Sequence, residues 1–399
     1  DRKYYLGNHE TKKFGCTPCH GGQGAAINSV EQAHGRVPFW EDPLLDIKDK
    51  VQAKCMTCHQ TVTGKEGTPV VERGEWLFQQ MGCNGCHLIQ GYEDLPKAGP
   101  SLKRVAAKAS PEWMVEWIEN PRRFRPRTRM PHFFLSREQS IDVTAYLLSS
   151  SLGDARSWME TRPLPDDVDP DSSAQVEAGK KLVESFGCLG CHGFAPEQFA
   201  SHVAVGMDTA PNLSRIAEKA DARWIYHWIS DPRSYSDSAR MPRLRLSSEE
   251  AAAITSYLAT LRQADTLAPD PEVRKRIASQ ESIDNGERLI RKYGCFGCHT
   301  INGMEAESRV SVELSAFGTK HTEELFFGDR TDIPLTWDDW TINKLLTPRT
   351  YQTERIEQAM PEFGFDHADA RALTVFLASR TGHAINAKYR PPVDGLEPV

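Results

Sequence analysis

The chain has no long apolar run. No stretch approaches the ~18 uninterrupted apolar residues that a membrane-spanning helix needs, so nothing in these 399 residues reads as a bilayer span. Excess positive charge is also absent. Lys and Arg number 48 against 55 Asp and Glu, a net charge of −7, which argues against a nucleic-acid partner because phosphate binding wants a basic face. Period-two alternation is scarce, so strands have almost no support. The opening stretch, Asp1-Arg-Lys-Tyr-Tyr5, contains no apolar core of the kind a signal peptide carries. The composition is nonetheless that of a folded protein. Apolar residues make up 39 %, and 28 Gly bring the total near the usual globular range, which excludes a disordered or collagen-like chain. At about 100–200 residues per domain, the length implies two to four domains.

There is also no cysteine outside a single motif. The ten cysteines form five Cys-x-x-Cys pairs, each followed at once by His: Cys16/Cys19-His20, Cys55/Cys58-His59, Cys83/Cys86-His87, Cys188/Cys191-His192 and Cys295/Cys298-His299. C-x-x-C-H reads as c-type haem attachment. Two thiols three positions apart can each form a thioether to one edge of a porphyrin, and the next residue places an imidazole under the iron. A disulfide framework does not require His after each second Cys. A structural zinc site built from such pairs uses two per ion, and five is odd. Redox dithiols of thioredoxin type accompany a βαβ pattern that is missing here. The motifs therefore predict five covalent haems c, with the five His as proximal ligands. Haem c attachment implies export, so we expect that a leader was cleaved or that an N-terminal anchor precedes the sequence.

The last three motifs sit in a repeat. Gly74, Gly179 and Gly286 each stand nine positions before the first Cys of their pair. Met130, Met241 and Met360 are each followed by Pro, and sixteen positions later come Tyr146, Tyr257 and Phe376. Leu102 aligns with Leu213, Trp113 with Trp224, Trp117 with Trp228 and Pro121 with Pro232. Trp340 and Pro348 keep the spacing of Trp113 and Pro121. The first cysteines of these motifs, Cys83, Cys188 and Cys295, are spaced too widely for solenoid repeats and indicate tandem domains. Each repeat reads as helical. Apolar spacing predicts a helix over 70–81 and a second over 112–119, stopped at Asn120-Pro121. Ser136 with Gln139 and Ser247 with Glu250 are capping boxes, and Asp366 with Asp369 is a weaker one.

With these parts, residues 69–384 resemble three tandem class I cytochrome c domains. The resemblance implies an all-α fold: three class I cytochrome c-like helical domains plus a small, loop-rich N-terminal dihaem segment. The implied boundaries are 1–68 for that segment, then 69–153, 173–264 and 282–384 for the domains. Linkers fall at 154–172 and 265–281, and 385–399 is a tail. In the family a Met is the sixth iron ligand, a role that carries over to Met130, Met241 and Met360. A Pro carbonyl accepts the Nδ1–H of the proximal His. Gly99-Pro100-Ser101-Leu102 matches that pattern fully, and Ala210-Pro211-Asn212-Leu213 matches without the Gly. Ser311-Val-Glu-Leu314 has no Pro, which leaves His299 without the family's acceptor. The third repeat also has a longer His-to-Met interval, with its excess around 325–334 as a docking or haem-covering insertion.

The segment 1–68 departs from this plan. Its two motifs, beginning at Cys16 and Cys55, have no Met-Pro between them. The segment resembles multihaem c-type cytochromes in which a second His completes each iron. Two local His are spare, His9 and His34, and we expect both to be ligands. Gly21-Gly22-Gln23-Gly24 lets backbone pass close over a porphyrin. His202, His227, His321, His367 and His383 are left as structural or surface residues.

Irons capped on both faces exchange electrons and do not bind substrate. Met/His ligation raises the potential relative to an imidazole pair, so two lower-potential centres are expected at the N-terminal end and three higher ones after them. The expected role is a one-electron relay outside the cytoplasm. Its partners would be redox proteins, such as a membrane quinol-oxidising complex as donor and a terminal oxidase, reductase or small cytochrome as acceptor. The Arg-rich run from Arg122 to Arg129 reads as a solvated or propionate-pairing loop, or as a patch for an acidic partner. The alternative is an enzyme with one open iron acting on peroxide, nitrite or a sulfur oxyanion.

Overall fold

The computed structural model describes residues 7–23, 26–34, 48–59, 61–195, 210–263 and 267–382. Gly24, His202, Met207, His383 and the tail 385–399 lie outside the described residues. Within them the fold is all-α, with no sheet and one isolated β-bridge between His132 and Glu362.

Ten helices frame the sites: α1 (Val51–Cys58), α2 (Pro69–Gln80), α3 (Pro111–Glu119), α4 (Arg137–Glu160), α5 (Ser173–Ser185), α6 (Ala222–Ser230), α7 (Ser248–Thr260), α8 (Gln280–Tyr293), α9 (Trp337–Leu346) and α10 (His367–Ala378). Their starts follow the expected caps. Ser136 and Ser247 accept from the backbone N–H of Gln139 and Glu250, whose side chains return to the cap N–H. Asp366 accepts from Asp369 N. Such a cap is worth about 1 kcal/mol. Helix α3 begins at Ser110, which accepts from Trp113 N, and stops before Pro121.

Each repeat contributes one helix before its haem motif (α2, α5, α8) and one after its Met (α4, α7, α10), and these helices cross at glycine. A Cβ on Gly179 would stand 1.9 Å from Ala253 O and 2.9 Å from Tyr257 Cβ, so α5 crosses α7 of the same repeat. In the outer repeats the partners are exchanged. A Cβ on Gly74 would lie 2.0 Å from Ala372 O and 2.8 Å from Phe376 Cβ, so α2 of the first repeat crosses α10 of the third. A Cβ on Gly286 would lie 2.0 Å from Asp142 O and 2.9 Å from Tyr146 Cβ, so α8 of the third repeat crosses α4 of the first. The sequence intervals 69–153 and 282–384 are repeats along the chain, whereas packing joins halves of each.

Three apolar cores follow this pairing. One gathers Leu77, Phe78, Leu373 and Phe376 with Ala53 and Met56 of α1. Another joins Trp113, Met114 and Tyr146 to Ile290, Tyr293 and Phe296. The third holds the second repeat, with Val183, Trp224 and Ile254, and takes in Ala155 and Trp158 from the long α4. Partly buried ion pairs tie the exchanged halves together: Arg73 holds Asp369 at 2.9 Å and Arg276 holds Asp142 at 3.1 Å.

Replacing Gly74, Gly179 or Gly286 with Ala forces the helices apart, and each change is expected to cost about 1–3 kcal/mol. Gly153→Ala, whose Cβ meets nothing within 4 Å on α4, is expected to gain about 0.5–1 kcal/mol. Thermal or denaturant unfolding of the four variants checks both signs.

Candidate haem-binding sites

A left-handed glycine precedes four of the five motifs. Gly82, Gly187 and Gly294 take φ of 72°, 74° and 69°, and Gly15 takes 72°. This conformation, which only glycine adopts freely, ends the preceding helix and turns the chain into the Cys-x-x-Cys-His loop. The motif reading passes over these glycines, although Gly before Cys in four motifs is a visible signal.

The surroundings of the ten cysteines fall into two classes, with Cys16, Cys19 and Cys191 exposed and the other seven partly covered. Burial pushes the Cys83, Cys295 and Cys298 thiols up to about 12, so they stay neutral. Cys86 is raised for the same reason, and so, less deeply set, are Cys55, Cys58 and Cys188. Three of the expected tethers do not share this cover. Cys16, Cys19 and Cys191 are exposed, so the structure does not wall them into a protein pocket as it does the third and fifth pairs. The cause is a lack of neighbours. Thr11–Phe14 and Thr17–His20, the short helices around Cys16 and Cys19, bury no residue. Cys191 follows Gly190, whose turn has nothing within 4 Å of a Cβ built there. A thioether needs its sulfur to face a porphyrin edge, and an exposed thiol meets that condition as a buried one does.

Burial holds the imidazoles of His87, His192 and His299 below their ordinary range, so they too are neutral. Each Nδ1–H donates to a backbone carbonyl, which leaves Nε2 with its lone pair free for a metal. His192 donates to Pro211 O of its own repeat at 2.7 Å. The outer repeats again exchange. His299 donates to Pro100 O at 2.8 Å, and His87 donates to Val312 O at 2.8 Å. Val312 stands where the third repeat lacks Pro. The acceptor is a backbone carbonyl, so the side chain at that position is not needed, and His299 is served by the first repeat. The residue two further on is tied in the same way: Leu213 N donates to Gly193 O, Leu102 N to Thr300 O and Leu314 N to Leu88 O.

The methionines follow the same division. Met241 and Cys188 both pack against the second repeat's core, and Met360 and Cys83 both pack against the core of α2 and α10. Trp117, which donates to Met130 Sδ at 2.9 Å, lies in the core with Cys295. Trp228 likewise donates to Met241 Sδ at 3.1 Å. The third repeat has Lys344 at this register, lowered to about 8 by desolvation and donating to Pro348 O and Gln358 Oε1. The extra segment at 325–334 packs on the same pocket, where Trp340 donates to Phe326 O and stacks on Tyr351.

Two half-buried lysines test whether these residues suit a porphyrin. Lys108 lies 4.5 Å from the Trp224 ring, and Lys219 lies 4.3 Å from the Trp113 ring. Burial lowers Lys108 to about 8. Lys219 falls well below its ordinary range through burial, Lys108 and Arg125. Neither lysine has an ion pair among the described residues. Trp224 Nε1, beside them, is buried without a hydrogen-bond partner. Such a group of donors calls for an anion, which the propionates of a porphyrin supply. Two members of the Arg-rich run are spent within the chain: Arg122 donates to Glu362 O at 2.8 Å and Arg123 pairs with Glu116.

In the N-terminal segment the His9 and His59 rings stand 6.1 Å apart at 76°. His34 ends a short helix, Val30–His34, that is tied to the run after His20 by Gln23 N donating to Ala33 O at 3.1 Å.

Residues 71–151 and 176–262 match the family model of cytochrome c. The chain is also 26 % identical over 136 residues to the "Cbb3-type cytochrome c oxidase subunit CcoP" of Helicobacter pylori strain 52, and equally to that of strain ATCC 700392 / 26695. The aligned part covers 34 % of this chain, and 41 % and 42 % of those relatives. No solved structure matches the chain. These matches support covalently bound haem c and a haem electron-transfer role.

A thioether that accepts an N–H bond donates less to iron and so favours the reduced state. Trp117→Phe and Trp228→Phe are each expected to lower the midpoint potential of one centre by about 20–60 mV, the worth of one hydrogen bond. Spectroelectrochemical titration of the holoprotein reads the shift.

Proposed function

We propose, from the premise that the chain is a multihaem c-type cytochrome, that it carries five haems and relays single electrons between redox partners outside the cytoplasm. Haem c, when bound, supplies a one-electron Fe(III)/Fe(II) couple whose potential the axial ligands set. Everything else is work of the chain's own residues. The ten Cys hold the five groups, the exposed Cys16, Cys19 and Cys191 included. His20, His59, His87, His192 and His299 ligate from one side. Met130, Met241 and Met360 close three sites, and His9 and His34 close the other two.

The observation that carries this reading is the threefold arrangement of an imidazole whose Nδ1 is fixed on a backbone carbonyl, with Met241 and Met360 packed on the cores that also take Cys188 and Cys83, and Met130 bonded to Trp117. For the N-terminal pair, support comes from the His9–His59 separation. Two metal–nitrogen bonds of about 2 Å each fit between rings at that distance. His34, tied beside the His20 turn, then serves His20. A site closed on both faces excludes substrate, which favours relay over catalysis. Similarity to an oxidase subunit favours a terminal oxidase complex as one partner, with a quinol-oxidising complex or small cytochrome as the other. No helix among the described residues is long and apolar enough to cross a membrane.

Intact mass of the mature holoprotein is expected to show five haem adducts, and fewer would overturn the count. Redox titration is expected to resolve two lower-potential and three higher-potential centres. His9→Ala should open one low-potential centre to carbon monoxide in the reduced protein. Binding at no centre would remove His9 from the ligand set.

A further inference from the structure

We propose that the third and fifth attachment motifs, at Cys83 and Cys295, form one paired centre with crossed axial ligands: His87 with Met360, and His299 with Met130. On this arrangement the five sites stand in space in the order Cys16, Cys55, Cys83, Cys295, Cys188, which is not their order along the chain. The proposal rests on the reading of C-x-x-C-H as haem sites and goes beyond it.

The crossing is reciprocal at every level. Gly99 N donates to Cys298 O at 2.9 Å, and Ser311 N donates to Cys86 O at 3.1 Å. His132 and Glu362, each two positions past a Met, exchange N–H···O bonds of 2.8 and 2.9 Å. Arg122, the residue after Pro121, donates to Glu362 O, and Arg349, the residue after Pro348, donates to Phe133 O. The two halves are therefore related by a local two-fold, and the Met loops meet on it.

The attachment turns meet as well. A Cβ on Gly85 would lie 2.7 Å from Gly297 C, and one on Gly297 would lie 2.2 Å from Gly85 O. Two glycines back to back let the turns touch, and Cys298 Sγ lies 3.7 Å from Gly82 O. The residues beside these glycines, Asn84 and Phe296, are 6 % and 3 % exposed. In the second repeat the same position is Gly190, which has nothing within 4 Å, and its neighbour Leu189 is 52 % exposed. The same pentapeptide thus pairs in the first and third repeats and stands alone in the second.

The order follows from what packs on what. The Thr17–His20 turn packs on α1, which carries Cys55 and Cys58. The second motif's Met56 accepts from Ser379 and Arg380 at the end of α10, both at 3.4 Å. Helix α10 belongs with Cys83, which meets Cys295 through Gly85 and Gly297. The unit that holds Cys295 then meets the second repeat through Trp158, Lys108 and Lys219.

The test uses the full-length holoprotein and the methionine-to-iron(III) charge-transfer band. Cys295→Ala with Cys298→Ala is expected to remove one third of that band. In this background Met130→Ala should cause no further loss, while Met360→Ala should halve what remains. The reverse result would mean that each methionine serves its own repeat, and would overturn the crossing. If that background does not accumulate, variants that keep every haem decide. The bisignate circular dichroism of paired haems in the Soret region should change in Gly85→Ala and Gly297→Ala and be untouched in Gly190→Ala. A couplet that is absent, or equally sensitive to Gly190→Ala, sinks the pairing. Adduct mass is read separately, so a failed haem count is distinguishable from uncrossed ligands.

Discussion

The structure depends on one contact made three times: two helices brought so close at a glycine that the backbone of one lies against a carbonyl and an aromatic side chain of the other. Gly74, Gly179 and Gly286 make this crossing with Phe376, Tyr257 and Tyr146. The crossing brings the helix before each haem motif against the helix after a Met-Pro loop. Without it the helix before each attachment motif and the helix after a Met-Pro loop would not share a core. Because the contact is backbone on backbone, it is specific in geometry and almost indifferent to which copy of the helix supplies the partner.

That indifference lets the outer repeats exchange halves while the middle one closes on itself. The interval from His192 to Pro211 in the middle repeat is longer than those from His87 to Pro100 and from His299 to Val312 in the outer ones. Short connections favour exchange of identical elements over closure within one copy. The result ties the first and third repeats into one unit with two cores, supported by partly buried ion pairs that a sequential arrangement would lack. The second repeat, inserted between them, hangs on the far end of α4. Its attachment turn meets no second turn, which leaves Cys191 in the open while Cys86 and Cys298 are covered. Reciprocal lysine–tryptophan contacts keep two cations on the aromatic walls of both units.

The local features of each repeat were legible. Periodicity gave α2 and α3 to within a residue, and Ser136, Ser247 and Asp366 marked helix starts that the structure has. The attachment motifs, the Met-Pro loops and the aromatic sixteen positions later lie within short stretches, where spacing along the chain equals spacing in space. Less visible were features carried by backbone. The acceptor for His87 is a valine carbonyl, so the absence of Pro at 312 was misleading, and the half-buried lysines 108 and 219 have no motif. Nor does a pentapeptide say how deeply it sits: Cys19 and Cys298 occupy the same motif position, one exposed and one covered. Lys344 could have been found by aligning it with Trp117 and Trp228.

What the amino-acid order alone determined is therefore everything that covalent spacing controls: the number of Cys-x-x-Cys-His turns, the helices that flank them, and the residue types able to cap a metal. What only the tertiary structure decided is which helix meets which, and with it the neighbours of every site. The physical reason is degeneracy. Three repeats carry the same glycine, an equivalent aromatic and the same loop, so no local pattern distinguishes a partner in the same repeat from one two repeats away. The choice falls to connection lengths and to pairs such as Arg73 with Asp369, whose members become neighbours only after the chain has folded.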